Sequence, residues 1–297
     1  MNQSSLNITE IIIETINQIF QNLFSNIDES LYSFLDDLLF INKNFLKDSY
    51  FEKIFGATPQ EGILLIANSI LIGFILYYLV RYLLSNFIGI QTSSPTQFIF
   101  KLLFICIAIN FSYFICEQLI SFFSLISSSI REIGEILFQK NICFAQLVQD
   151  LNTNLILSKE SFNLFSFDGL ITGFIFINLF NLIFTYSFRY ILLKLLILVF
   201  PFAIISLTTQ STASFFHMWI RLFISLLSIQ VGASIVLLLM FSISYEMSDL
   251  FSKLIYIGSI SILSKINSLA SQLFNSPSIE NSSHFSNLNN LLKWSFK

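Results

Sequence analysis

Two stripes of polar residues are the part of this sequence whose residue types and spacing could do chemistry. Both lie in apolar stretches and recur at intervals of three and four residues, as Asn178, Asn181, Thr185 and Arg189 and then as Arg221, Ser225, Ser228 and Gly232. Residues with this spacing share one face of a helix. Because a charge at bilayer depth costs about 3 kcal/mol, we expect each stripe to face another helix or a watery cavity rather than lipid.

The residues alone leave two interpretations of these stripes open. Stripes of Ser, Thr, Asn and Gly commonly serve helix packing, and Arg189, Lys194 and Arg221 near span ends would then extend to the lipid headgroups. The alternative is a polar path. Glu117, seven residues after Asn110 on one helical face, is a short carboxylate in an apolar segment. It lies in a functional cavity, pairs with a basic side chain, or sits near the interface if the span boundary is shifted.

No catalytic constellation accompanies the stripes. His217 and His284 have no nearby acid and nucleophile, and no P-loop, HExxH or GxSxG motif occurs. Cys106, Cys116 and Cys143 lack the spacing of metal ligands. The sequence therefore predicts no enzyme activity, no catalytic residue, no metal and no cofactor.

Composition places the elements that carry these residues in a membrane. Of 297 residues, 55% are apolar and 11% are charged, and the mean hydropathy is +0.75. A soluble protein of this length needs a charged surface, which long stretches of this sequence lack. We therefore predict an all-α integral membrane protein with five or six transmembrane helices and an amphipathic helical amino-terminal segment.

Apolar stretches of helix length define the predicted spans. The first lies between Glu61 and Arg81, and four more follow at about residues 98–126, 169–187, 188–206 and 218–242. A sixth segment, KLIYIGSISILSKINSLASQLF, is ambiguous because Lys253 and Lys265 leave few apolar residues between them. It either spans the membrane with its lysines extended to the headgroups or lies in the interface.

The spans divide the chain into an ordered series of segments. The predicted division is an acidic amphipathic segment outside the bilayer at residues 1–59, a polytopic domain at 60–272 with an extramembrane loop at 127–167, and a polar tail at 273–297.

Small and helix-breaking residues mark two positions in the polytopic domain. Gly169 and Gly173 have the spacing that lets two helices approach closely. Pro201 predicts a kink, whose freed backbone would be satisfied by a neighbouring helix or by the hydroxyls of Thr208 and Thr209.

The order of features from Phe188 to Ser271 resembles one known family. An apolar run ending in LILVFPFAIISL is followed by the link TTQSTASFFHMWIRLF, the span ISLLSIQVGASIVLLLMFSI and the segment LIYIGSISILSKINSL. The closest parts are Pro-Phe-Ala at 201–203 and Trp-Ile-Arg-Leu-Phe at 219–223, with Ile-Gly at 257–258 and Ser-Lys-Ile at 264–266. This order is similar to that of the TrbL-like polytopic inner-membrane subunits of type IV secretion and conjugation systems.

The resemblance implies a function and a set of partners. It covers the last third of the chain, and the first two spans by architecture only. It implies a non-enzymatic channel or scaffold subunit in the cytoplasmic membrane of a bacterium, with the amino terminus outside and the central loop facing the envelope. The implied partners are the bilayer, other secretion subunits including a separate ATPase, and the DNA or protein in transit, with self-association left open.

A separate hypothesis, based on the residues themselves, gives positions for the charged side chains and the link between the spans. The stripe from Arg221 to Gly232 would face the translocation path. Arg189 and Lys194 would lie at the cytoplasmic interface, and the link 208–214 would fold toward a central cavity.

Two other function classes remain open at this stage. In a small-solute transporter or permease subunit, Glu117, Arg189 and Arg221 would bind substrate or couple to protons. In a structural membrane assembly protein they would only pack helices. The chain has no internal repeat that can be aligned, although such repeats are typical of many transporters.

Overall fold

The protein is helical throughout the residues that its computed structural model describes. These are residues 29–56, 62–88, 95–151, 167–209, 211–244 and 250–275, with Thr15 and Gln18 as isolated helical positions. The helices are α1 (Glu29–Leu39), α2 (Ser49–Phe55), α3 (Gly62–Ile88), α4 (Pro95–Asn110), α5 (Ser112–Phe138), α6 (Phe144–Leu151), α7 (Phe167–Ile205), α8 (Ala213–Ser244) and α9 (Leu250–Leu273). Short 3-10 turns lie at Lys43–Leu46 and Ser206–Thr208. No strand occurs in these residues, which confirms the predicted all-α class.

Five of the described helices are long and apolar enough to cross a membrane. They are α3, α5, α7, α8 and α9, with apolar segments Gly62–Leu84, Ser112–Phe138, Gly173–Thr208, Ala213–Ile243 and Leu254–Leu273. The apolar part of α4, Thr96–Asn110, is shorter than the roughly 20 residues that a bilayer core requires. This set of helices is that of a multi-pass membrane protein, as predicted, and the ambiguous sixth segment is one of the five.

The predicted third and fourth spans form a single helix. Residues 169–187 and 188–206 both lie in α7, which has 39 residues. At 1.5 Å per residue this helix is about 58 Å long, nearly twice the roughly 30 Å of a hydrocarbon core. The expected boundary was wrong because the basic residues near its middle have partners inside the fold, so they do not end the helix.

The predicted second span is divided. The stretch 98–126 contains the end of α4, a break at Phe111 and the first half of α5. At the break the hydroxyl of Ser112 donates to the carbonyl of Ile109 at 2.6 Å. The predicted loop 127–167 begins with the last turns of α5 and contains α6, and residues 152–166 of it lie outside the described part of the chain.

Two compact units divide the fold, and their boundaries fall inside α5, α7, α8 and α9. The first consists of Met1–Phe40, Ile126–Phe188 and Gln230–Ile266, and the second of Ile41–Leu125, Arg189–Ile229 and Asn267–Lys297. In the first unit, α1 packs on α6, and Leu35 and Leu39 of α1 are fully buried while Ser33 and Asp37 are exposed. Within the described residues, α1 thus has one buried and one exposed side.

In the second unit, the segment before the first span joins the core. Phe45, Phe51 and Phe55 are buried, and α2 packs on α3, which in turn packs on α4. Gly62, where α3 begins, has a φ of +64°, and a Cβ there would lie 2.7 Å from the backbone nitrogen of Gly56. Glycine is therefore required at this joint, because it alone adopts positive φ freely and leaves room for the close approach.

A tryptophan of α8 contacts the proline-containing turn of α7. Pro201 has no N–H to donate to the carbonyl of Ile197, and its ring crowds that carbonyl. The indole Nε1 of Trp219 donates to the neighbouring carbonyl of Leu196 at 3.0 Å, and its ring stacks on Phe200 at 4.2 Å between centroids. A neighbouring helix thus supplies a donor to the carbonyl next to the freed one, and the predicted partner of the Ile197 carbonyl itself stays a prediction. The Thr208 hydroxyl bonds to the Ile205 carbonyl instead.

Trp219→Phe should lower the free energy of unfolding by about 1 kcal/mol, because it keeps a stacked ring but removes a buried donor. Thermal unfolding of the purified protein and the variant in detergent measures the loss. An unchanged free energy of unfolding would contradict a stabilising role for the Trp219 hydrogen bond.

Candidate functional site

The first polar stripe of α7 becomes buried toward its carboxyl-terminal end. Thr185 and Arg189 are buried, Asn178 is half-buried and Asn181 is exposed. The Asn178 amide donates to the Phe174 carbonyl at 2.8 Å, and the Thr185 hydroxyl donates to the Asn181 carbonyl at 2.9 Å. Because these groups bond within their own helix and the stripe turns inward, its geometry favours helix packing.

The second stripe is exposed only at its first member. Arg221 is exposed, Ser228 and Gly232 are half-buried, and Ser225 is buried. Ile235 and Leu239, which continue the same helical face, are exposed. Trp219 and Phe223 of α8 are buried. Arg221 therefore lies off the surface through which Trp219 packs on α7.

Arg189 is buried rather than extended to the headgroups. Only 1% of its surface is exposed, and its Nε donates to the carbonyl of Leu226 in α8 at 2.9 Å. Leu226 lies away from the Arg221 stripe on α8, so the structure does not bring the two arginines together on one face. The expectation of an interfacial Arg189 was wrong because a guanidinium carries five donors and can bond to the backbone of a facing helix.

Lys194 also has partners within the chain. Its Nζ lies 3.3 Å from the carboxylate of Asp48 and between 5.3 and 5.4 Å from the ring centroids of Phe45, Phe51 and Tyr190. Asp48 also begins α2, because it accepts a hydrogen bond from the Tyr50 amide at 3.1 Å.

The two contacts of Asp48 act together on its carboxylate. The Tyr50 amide, followed by Lys194, holds the pKa of Asp48 below its ordinary value. This ion pair and the surrounding rings attach residues 45–51 to α7.

Glu117 lies half-buried on α5, close to a tyrosine and a second carboxylate. Glu52 of α2 and Glu117 both lie beside Tyr113, whose hydroxyl donates to the carbonyl of Leu46 at 2.8 Å. Among the described residues, Glu117 forms no ion pair. Of the expected arrangements, the pairing with a basic side chain is thus absent from this part of the chain.

Close packing occurs at glycines other than the predicted pair. Gly173 is half-buried, and the surroundings of Gly169 lie outside what the structure describes. A Cβ on Gly134 of α5 would lie 2.6 Å from the Leu238 side chain, and a Cβ on Gly232 would lie 2.9 Å from the Ile266 side chain. Gly134 was missed because it stands alone in a segment assigned to a loop, without a second small residue at the expected spacing.

Two further polar contacts were missing from the predicted site. The hydroxyls of Ser127 in α5 and Ser234 in α8 are 2.6 Å apart, and the Ser234 hydroxyl also donates to the Gln230 carbonyl at 2.8 Å. Because these two serines are 107 residues apart in sequence, no local sequence pattern predicts that they meet.

The link between α7 and α8 is a turn closed by its own hydroxyls. The Thr212 hydroxyl bonds to the Thr209 hydroxyl at 2.5 Å and to the Ser206 carbonyl at 2.6 Å. Thr212 and Ser211 are exposed. The hydroxyls of Thr209 and Thr212 thus bond to each other, and the predicted fold of the link toward a cavity stays a prediction.

Comparison with known protein families, with characterised proteins and with solved structures finds no match to this chain.

Arg189→Ala should lower the free energy of unfolding by about 2 kcal/mol, because it removes a buried charged donor and leaves space beside Leu226. Arg221→Ala is the matched control on the exposed side of α8, and it should change stability by less than about 0.5 kcal/mol. Thermal unfolding in detergent measures both. Equal effects would show that the buried hydrogen bond is unimportant.

Lys194→Met should loosen residues 45–51 from α7, because the flexible apolar stem is kept while the ion pair and the cation–π contacts are lost. Labelling of a cysteine introduced at the buried position Leu46 reports the loosening as faster modification. Lys47→Met, at an exposed position of the same segment, is the control, and unchanged labelling in Lys194→Met would refute the role of the ammonium group.

Proposed function

We propose that the chain is a non-enzymatic channel or scaffold subunit of a type IV secretion machine of the conjugative DNA-transfer kind, similar to TrbL-like subunits of the bacterial cytoplasmic membrane. The observation that carries the proposal is the order of features from Phe188 to Ser271. That stretch corresponds to the second half of α7, all of α8 and most of α9. Its partners on this proposal are other secretion subunits, a separate ATPase and the transported DNA or protein.

The distribution of packing supports a role inside a larger assembly. In the most apolar windows of α7 and α8, 50% of the residues are buried, compared with 17% in α3 and α5. Along α3, apolar side chains are exposed on several sides, as at Ile66, Ile72 and Ile75. A well-packed helix pair beside helices with free apolar surface is the arrangement expected of a subunit whose outer helices contact lipid or other subunits.

The exposed side chain of Arg221 on α8 supports a polar path. Arg221 lies within an apolar segment that is long enough to cross a membrane, and its side chain is exposed. A cation in that setting needs water, headgroups or a polar partner. The proposal assigns Arg221 and the half-buried Ser228 to the path of the transported polymer.

The permease alternative draws support from Glu117 and from the exposed Arg221. It requires Arg189 to be accessible to substrate, and a side chain buried against the Leu226 carbonyl favours a structural role. The assembly-protein alternative requires no polar path at all. On that alternative, substitutions along the α8 stripe would leave transport unaffected.

Deletion of the gene in its host, followed by complementation, tests the proposal. Wild type should restore conjugative transfer, whereas Arg221→Leu and Ser228→Leu should each reduce transfer at least about tenfold while the protein accumulates normally in the membrane. Ile224→Leu, a half-buried position beside the stripe, is the control and should transfer normally.

Three results would overturn or redirect the proposal. Unchanged transfer after deletion would refute it. Normal transfer with both stripe substitutions would leave a scaffold subunit without a polar path. Loss of uptake of a small solute on deletion, with the same loss in Glu117→Gln, would establish the permease alternative.

A further inference from the structure

The side chain of Gln230 in α8 is a buried amide without a hydrogen-bond partner among the residues that the structure describes. Its exposed fraction is 0%, and both its Nε2 donor and its Oε1 acceptor lack a partner in that part of the chain. Burial of a polar group is unfavourable unless the group is hydrogen-bonded. Gln230 therefore marks a place where a further donor and a further acceptor are needed.

Two serines lie against the backbone of Gln230. The Ser234 hydroxyl donates to the Gln230 carbonyl at 2.8 Å. The Ser127 hydroxyl of α5 lies 2.6 Å from that of Ser234 and 3.4 Å from the same carbonyl. Because the Ser234 proton is used on the carbonyl, the Ser127 proton goes to the Ser234 oxygen. The oxygen of Ser127, a residue that is 1% exposed, then keeps its lone pairs as buried acceptors.

These residues belong to a close approach of α5 and α8 within the first compact unit. A Cβ on Gly134, seven residues after Ser127 on α5, would lie 2.6 Å from the side chain of Leu238, four residues after Ser234 on α8. The two helices therefore run in the same direction here. We name the set of Ser127, Gly134, Gln230 and Ser234 the α5–α8 contact.

The unpaired groups select the chemistry of a ligand for this contact. A cation would pair with Oε1 of Gln230 but would be repelled by the Nε2 hydrogens, and an anion would do the reverse. None of the four residues of the α5–α8 contact is charged, so a buried ion would also lack a counter-charge. A water molecule donates, accepts and carries no charge. Internal waters in proteins form about three hydrogen bonds to buried polar groups, and Nε2, Oε1 and the Ser127 oxygen supply that number.

We propose that the α5–α8 contact binds an internal water molecule, which bonds to the side-chain amide of Gln230 and to the hydroxyl oxygen of Ser127. Ser127, Ala233 and Ser234 keep the neighbouring side chains small, which favours space for a small ligand beside the longer glutamine. The water makes a glutamine tolerable where α8 is fully enclosed, and it ties the amide to α5. The proposal does not depend on what the membrane helices transport.

Solid-state NMR of the full-length protein in lipid bilayers, with isotope-labelled nitrogen in the glutamine side chains, tests the water site. The readout is the transfer of magnetisation from water to the side-chain amide protons of Gln230. Wild type should show this cross-peak, and Gln230→Met, which keeps a long side chain but has no amide, should lose it. Gln118→Met, at an exposed position of α5, is the matched control and should leave the Gln230 cross-peak unchanged.

Further variants separate bound water from the serine hydroxyls, whose protons exchange with water and could relay the signal. Ser127→Ala combined with Ser234→Ala removes both hydroxyls but keeps the Gln230 amide and the space beside it, so the cross-peak should persist. Ser127→Val fills that space with methyl groups, so the cross-peak should be lost. Ser129→Val, at an exposed position of α5, is its control and should retain the cross-peak.

Three results would overturn the proposal. The first is a wild-type protein without the cross-peak. The second is loss of the cross-peak in the doubly substituted variant, which would assign the signal to the hydroxyls. The third is a cross-peak that survives in Ser127→Val, which would place the water outside the α5–α8 contact. If Gln230→Met does not accumulate, the wild-type signal is assigned through the bonds that join the Gln230 amide to its own backbone.

Discussion

The fold depends on side-chain donors of α7 and α8 that reach the backbone of the facing helix. Arg189 of α7 donates to the Leu226 carbonyl of α8, and Trp219 of α8 donates to the Leu196 carbonyl of α7. The exchange is reciprocal, and donor and acceptor are seven residues apart on each helix, from 189 to 196 and from 219 to 226. A carbonyl in a helix has a second lone pair available, and no water competes for it in an apolar interior. The two bonds therefore fix the antiparallel register of the helices.

This exchange explains where the polar stripes lie. Arg189 must face α8 to reach Leu226, which turns its stripe, including Thr185, toward the interior. Trp219 must face α7, and Arg221, two residues further along α8, is therefore carried to the other side of its helix, where it is exposed. Two stripes that look alike in sequence thus have different surroundings, because each is positioned by a different residue of the same contact.

Hydropathy predicted the helical class and most of the membrane helices, but not how the chain divides between them. Residues 169–206 were assigned to two spans because Arg189 and Lys194 resembled a boundary. The partners that make them tolerable, Leu226 and Asp48, are 37 and 146 residues distant, and no local pattern reveals such pairs. The break at Phe111 was also not predicted, because the residues around it are as apolar as those of a continuous helix.

Two acidic residues near the amino terminus have structural roles that the number of charges in the sequence does not reveal. Asp48 accepts from the Tyr50 amide at the start of α2 and pairs with Lys194, while Asp36 accepts from two amides at the start of α6. A carboxylate at a helix start is favoured by the orphan amides and by the helix dipole. Their acidity is thus accounted for by the helices that they cap, whichever side of a membrane they occupy. Asp36 thereby joins α1 to α6, and Asp48 joins the start of α2 to α7.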